Sequence, residues 1–192
     1  MISAIQKLFE RRCDCAANDL LADGELQFQV VFLTRDDELV VCAADMPDAD
    51  HERDALVSIL RLMAVAHDAV AAAITAEVWS DPDYRDGRRP SESPTRREAL
   101  AVFVVYRDEE GTSLVQSERE IVRDSSGKII ELCAPKAPPT PGPCDESMGR
   151  LMRIMPRDRP SRHDRRLAKA MIDKLPSHLV HRMDCGDGMT LH

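Results

Sequence analysis

The chain has 192 residues, an apolar share of 43% and a formal net charge of −8. That length suits one domain with an appendage, and the apolar share supports a real core. No apolar run approaches the ~20 residues that a membrane-spanning helix needs, which argues against a helical membrane protein. Residues 1–134 carry −12 and residues 135–192 carry +4, so the body should repel nucleic acid while the tail should not.

Residues 1–20 place Ile2, Ile5, Leu8, Phe9, Cys13 and Ala16 at helical spacing, with Gln6, Lys7, Glu10 and Arg11 on the other side. This predicts a helix lying on a sheet, ended by Asp23-Gly24. The same segment lacks a signal peptide's early positive charge and continuous apolar stretch, so we expect a cytoplasmic protein. Six cysteines without a CxxC pair are expected to be reduced thiols there.

Alternation over 26–33 marks a strand, and 39–44 returns after the Arg35-Asp36-Asp37-Glu38 turn as a second, which reads as an antiparallel hairpin. Asp48 or Asp50 is then placed to cap a helix, because a carboxylate accepts the free N–H groups of a first turn. Leu56, Ile59, Leu60 and Met63 mark the buried stripe of that helix, from about 51 to 67. Residues 70–80 alternate as a strand whose alanines let a helix lie close, although alanine also suits a helix continued through Ala73.

Residues 81–98 form a polar loop that is long for a compact domain, and Thr95 to Glu98 has capping-box spacing. Residues 99–106, ALAVFVVY, are the longest stretch apolar on both faces and predict a strand near the centre of the sheet. A half-exposed strand over 112–123 can pair back on it, and 128–132 reads as a short edge strand. Five prolines within 135–143 predict an extended spacer. Beyond it, Leu167, Ala168, Met171, Ile172 and Leu175 share a helical stripe.

The expected organisation is an α+β domain over 1–134, a Pro-rich linker over 135–147 and a basic, partly helical tail over 148–192. The domain should hold a mainly antiparallel sheet of five or six strands. One or two helices, the 51–67 helix and with it the first, should pack on one face.

Glu77-Val78-Trp79-Ser80, then Arg89-Pro90-Ser91-Glu92, Pro94 and Arg96-Arg97-Glu98-Ala99-Leu100, stand ahead of the valine-rich strand. The run resembles small bacterial and prophage proteins of unassigned function. Those share a Glu-x-Trp strand end, a polar loop with Pro-Ser-x-x-Pro-x-Arg-x-Glu, and a following strand. The resemblance covers residues 26–132 and implies no activity, substrate or cofactor. It directs attention to 77–100.

Within that stretch, Glu77 and Ser91 are the candidates for catalysis: a strand-end carboxylate as acid or base, beside arginines able to grip an anion. Trp79, Tyr84, Arg88, Arg89, Glu92, Arg96 and Arg97 are the candidates for a binding surface, against ordinary ion pairing as the plainer reading. In the tail, Arg157, Arg162, Arg165, Arg166 and Lys169 suit a nucleic-acid backbone or an acidic partner. The absence of stacking aromatics there gives no sign of base readout. His178, His181 and Cys185 are zinc-ligand types without a second pair at finger spacing, so neither a metal nor any cofactor is expected.

No Gly-rich phosphate loop, GxSxG, HExxH or dinucleotide fingerprint occurs. The expectation is a non-enzymatic interaction or accessory protein, prophage-encoded, binding a protein partner through the 80–98 loop or the basic tail. The alternatives are a small hydrolase or transferase at Glu77 and the 88–98 loop, and nucleic-acid binding through the tail.

Overall fold

The computed structural model of the chain describes residues 2–80, 93–108, 111–135, 138–143, 153–156, 158–175 and 181–183. A first helix, α1 (Ile2–Asp23), leads into a hairpin of β1 (Gln29–Thr34) and β2 (Leu39–Ala43). The helix α2 (Asp50–Ala66) follows, then three long strands, β3 (Ala69–Ser80), β4 (Arg97–Arg107) and β5 (Thr112–Arg123), and the short β6 (Ile129–Leu132). The two-residue β7 (Gly142–Pro143), the helix α3 (Arg162–Ile172) and β8 (His181–Met183) complete the described elements. The strands form one sheet in the order β6-β5-β4-β3-β1-β2-β8, with β7 also beside β5. Every pairing is antiparallel. The α+β class and the mainly antiparallel sheet are those expected, and 69–80 is strand rather than continued helix.

Alternate residues of the middle strands feed two separate cores, because successive side chains on a strand point to opposite faces. Val31, Leu33, Ala71, Ala73, Val102 and Val104 pack with Ile5, Leu8, Phe9 and Leu20 of α1. Val30, Phe32, Ala72, Ile74 and Val105 pack with Leu56, Leu60 and Met63 of α2. The two helices therefore cover opposite faces rather than sharing one. A sheet apolar on both sides needs a layer on each; with both helices together, one face would meet water.

The α2 layer also includes chain from beyond the proline-rich segment. Ile154 and Met155 are buried in the α2 core, Ile172 packs against it, and α3 lies along α2. β7 pairs with Ser113 and Leu114, and β8 with Val41, Cys42 and Ala43. Ser161 caps α3, its hydroxyl accepting from the Asp164 N–H while the Asp164 carboxylate accepts from the Ser161 N–H.

Two local expectations fail. The N-cap of α2 is Ala49, with no side-chain cap; Asp50 already sits in the first turn, 3.8 Å from Arg53. Thr95 to Glu98 makes no capping box, because Arg97 and Glu98 are already laddered to Ser80 and Trp79 of β3. Ser93 instead turns the chain by accepting the Thr95 N–H at 3.2 Å.

Ile154 is 0% exposed. Truncating it to alanine should cost about 2–4 kcal/mol in urea denaturation, the range for a buried large-to-small change. A cost near that of a surface substitution, below about 0.5 kcal/mol, would show that this segment contributes nothing to the core.

Candidate functional site

Residues 71–74 of β3 are apolar on both faces, and its carboxylates lie toward the ends, Asp68 just before the strand and Glu77 near its close. At the C-terminal end, Glu77 lies opposite Leu100, and Trp79 opposite Glu98, which makes Glu77 and Glu98 diagonal neighbours on the α1 face. Arg123, closing β5, spans both. Its Nε and Nη2 donate to the two oxygens of Glu98 at 2.8 Å each, and Nη2 also reaches Glu77 Oε2 at 2.9 Å. Its Nη1 donates to the carbonyls of Gly24 and Gly127, at 2.8 and 3.2 Å. Glu77 Oε1 takes the Leu26 N–H at 2.5 Å, just ahead of β1.

Burial pushes the Glu77 carboxyl above its ordinary range, and its hydrogen bond with Glu98 acts the same way. Hydrogen bonds from Arg123 hold Glu98 below that range. Beside the pair opens a cleft of about 920 Å³, lined by Leu26, Phe28, Met46, Ala76, Glu77 and Arg123 among others. A carboxyl with a raised pKa at a cleft has the chemistry of a general acid. Both Glu77 oxygens are nevertheless engaged, so the cluster acts first as a clamp joining the α1–β1 connection to β3, β4 and β5.

Among the described sequence candidates of this region, Glu77 alone lines this cleft. Arg96 lies over the Trp79 ring, 4.7 Å from its centroid, and Trp79 is 47% exposed. Arg97 pairs with Glu120 at 2.7 Å; by strand alternation it stands on the opposite face of the sheet. Tyr84, Arg88, Arg89, Ser91 and Glu92 lie outside the described residues, as do Arg157, His178 and Cys185. His181 is placed by its backbone, which pairs β8 with Ala43.

The N-terminal end of β3 carries the opposite imbalance. Asp68 follows α2 with φ of +48°, a left-handed conformation that aspartate tolerates better than most side chains. Its Oδ2 accepts from Arg165 Nη1 at 2.8 Å and Arg35 Nε at 3.2 Å, and Arg159 Nη2 stands 3.9 Å away. Arg107 donates to the neighbouring Ala69 carbonyl at 2.8 Å. Burial lowers the Arg107 pKa, while the charge of Asp68 opposes that shift. The Asp68 side chain is only 9% exposed. Its Oδ1 has no hydrogen-bond donor among the described residues.

Of this cluster only Arg159 and Arg165 fall in a stretch that the sequence marks, the basic tail; Arg35, Asp68 and Arg107 come from three other segments. On α3 the expected stripe divides. Ala168 and Ile172 turn inward, Arg165 reaches Asp68, and Leu167 and Met171 remain 54% and 46% exposed. Arg162, Arg166 and Lys169 are exposed on the same helix.

Replacing Arg123 with methionine should cost about 2 kcal/mol near neutral pH, the scale of hydrogen bonds to a charged group left unmade. Glu98, with its lowered pKa, adds stability that is lost as pH falls through its folded pKa; Glu77, raised, subtracts stability as pH rises through its own. Without the arginine both carboxyls move upward, so the cost should shrink below about pH 4. Urea midpoints of both proteins across pH 3–8 check this, and a pH-independent gap would contradict it.

In comparisons with known proteins, no family model, no curated protein and no solved structure matches the chain.

Proposed function

We propose that the chain is a cytoplasmic, non-enzymatic accessory protein that binds an acidic protein partner through the outer face of α3. The observation that carries this reading is the pair Leu167 and Met171, exposed one turn apart on the helix that also presents Arg162, Arg166 and Lys169. The helix is held from behind by Ile172 in the α2 core and by the Arg165–Asp68 ion pair. Two apolar anchors bordered by cations suit an amphipathic segment with an acidic rim: the anchors supply affinity, the charges rate and selectivity.

A second reading, acid–base catalysis in a small hydrolase or transferase, is favoured by the raised Glu77 pKa beside an open cleft. It stands second because Glu77 would first have to release Arg123 or Leu26.

A photo-crosslinking amino acid at position 167 of the full chain, with position 130 as an exposed control, tests the first reading in host cells. One protein should crosslink at 167 and not at 130, and charge reversal at Arg162 and Arg166 should lower its yield about tenfold. Nuclease-sensitive crosslinks at 167 would replace the protein partner with nucleic acid. Equal, unselective crosslinking at both positions would overturn the reading.

A further inference from the structure

We propose that a separate site, between the first turns of α1 and the end of β1, binds the phosphate group of a small phosphorylated ligand. A cavity of about 390 Å³ opens there, with Lys7 and Arg35 as its cations and Leu33 and Val70 as apolar wall. Its size falls within the range of small-molecule sites, which combine apolar walls with a few convergent polar groups.

The charge balance favours an anion. Arg35 spends its Nε on Asp68, and that one carboxylate is shared with Arg165 and Arg159. Three guanidinium groups thus divide a single negative charge, and both terminal nitrogens of Arg35 remain to form the paired bonds that a phosphate accepts. Lys7 makes no ion pair with the described residues. Within the cavity lining, Lys7 and Arg35 stand against one carboxylate, Asp37.

Thr34 adds a directional donor. It is buried, lines the cavity, and its Oγ accepts the Glu38 N–H at 3.1 Å, which leaves its own hydroxyl hydrogen to give. Asp37, on the rim, repels a ligand that is anionic throughout. A phosphate on a neutral, partly apolar body fits better: the anion meets Arg35 and Lys7, and the body lies on Leu33 and Val70.

The test is titration of the full chain with phenyl phosphate, and with inorganic phosphate, at constant ionic strength, followed by ¹H–¹⁵N chemical shifts. Saturable shifts should centre on Ser3, Lys7, Thr34 and Arg35, with phenyl phosphate the tighter of the two. Lys7→Met should weaken binding about tenfold, the effect of losing one charge-assisted contact. Arg35→Met should weaken it further, but that variant also strips a donor from Asp68, so the exposed Lys7 is the deciding position. Leu167→Asp, on the α3 surface, should leave phosphate binding unchanged, which keeps this site distinct from the proposed partner surface. No saturation by about 10 mM, or an affinity unaltered by Lys7→Met, would overturn the proposal.

Discussion

β3 is the constraint on which the remaining structure depends. It pairs along most of its length with β4 and through its first half with β1, and its core residues 71–74 are buried to water on both faces. Three of those four are alanines, so the strand presents a low surface to α1 on one side and to α2 on the other. Larger side chains would hold one helix layer away and open voids, which close-packed interiors do not tolerate. The bulk that fills the two cores comes instead from Phe32, Leu33, Leu60 and Leu8 on the elements around it.

A strand of that kind also decides where charge can go. With its middle closed to water on both sides, the ion pairs of the acidic groups Glu77 and Asp68 stand at its two ends, and the two clusters differ in sign. Two carboxylates share Arg123 at the Glu77 end; one carboxylate gathers several guanidiniums at the Asp68 end. At about 3.3 Å per residue, Asp68 and Glu77 are roughly 30 Å apart along the strand. The two clusters therefore carry local charge of opposite sign.

The elements were legible because each rests on a local pattern. Alternation marked β1 and β3 and, more weakly, β5; a run apolar on both faces marked β4, and turn residues marked β2 and β6; the stripe of α1 and the break at Gly24 marked its first helix. Which face each helix covers was not legible, since that depends on the whole sheet rather than on any one segment. Nor was the Asp68 cluster: residues 35, 68, 107, 159 and 165 share no spacing that a period could expose, and only the topology brings them together. Arg12 is a different case. It falls in the stripe of Leu8 and Ala16, and the structure buries it against Gln29 and Thr75, at 3.1 and 3.3 Å. The helical period could have placed it inside; its charge argued otherwise. The clamp at Glu77 was half legible, as a strand-end carboxylate with an arginine, but the arginine is Arg123 and not one from the 88–98 loop.

The basic helix resolves a choice that composition leaves open. Its cations could neutralise the chain's own acidic body or meet an external anion, and charge counting treats these as rivals. Helical geometry makes them compatible, because residues 100° apart on one helix face different surroundings. Arg165 turns toward Asp68 beside the inward Ala168 and Ile172, while Arg162, Arg166 and Lys169 stay exposed. The internal ion pair fixes the orientation of α3, and that orientation sets which cations face outward. Anchoring the helix to the body is therefore what gives its exposed face a defined shape, and a rigid face loses less entropy on binding than a free tail would.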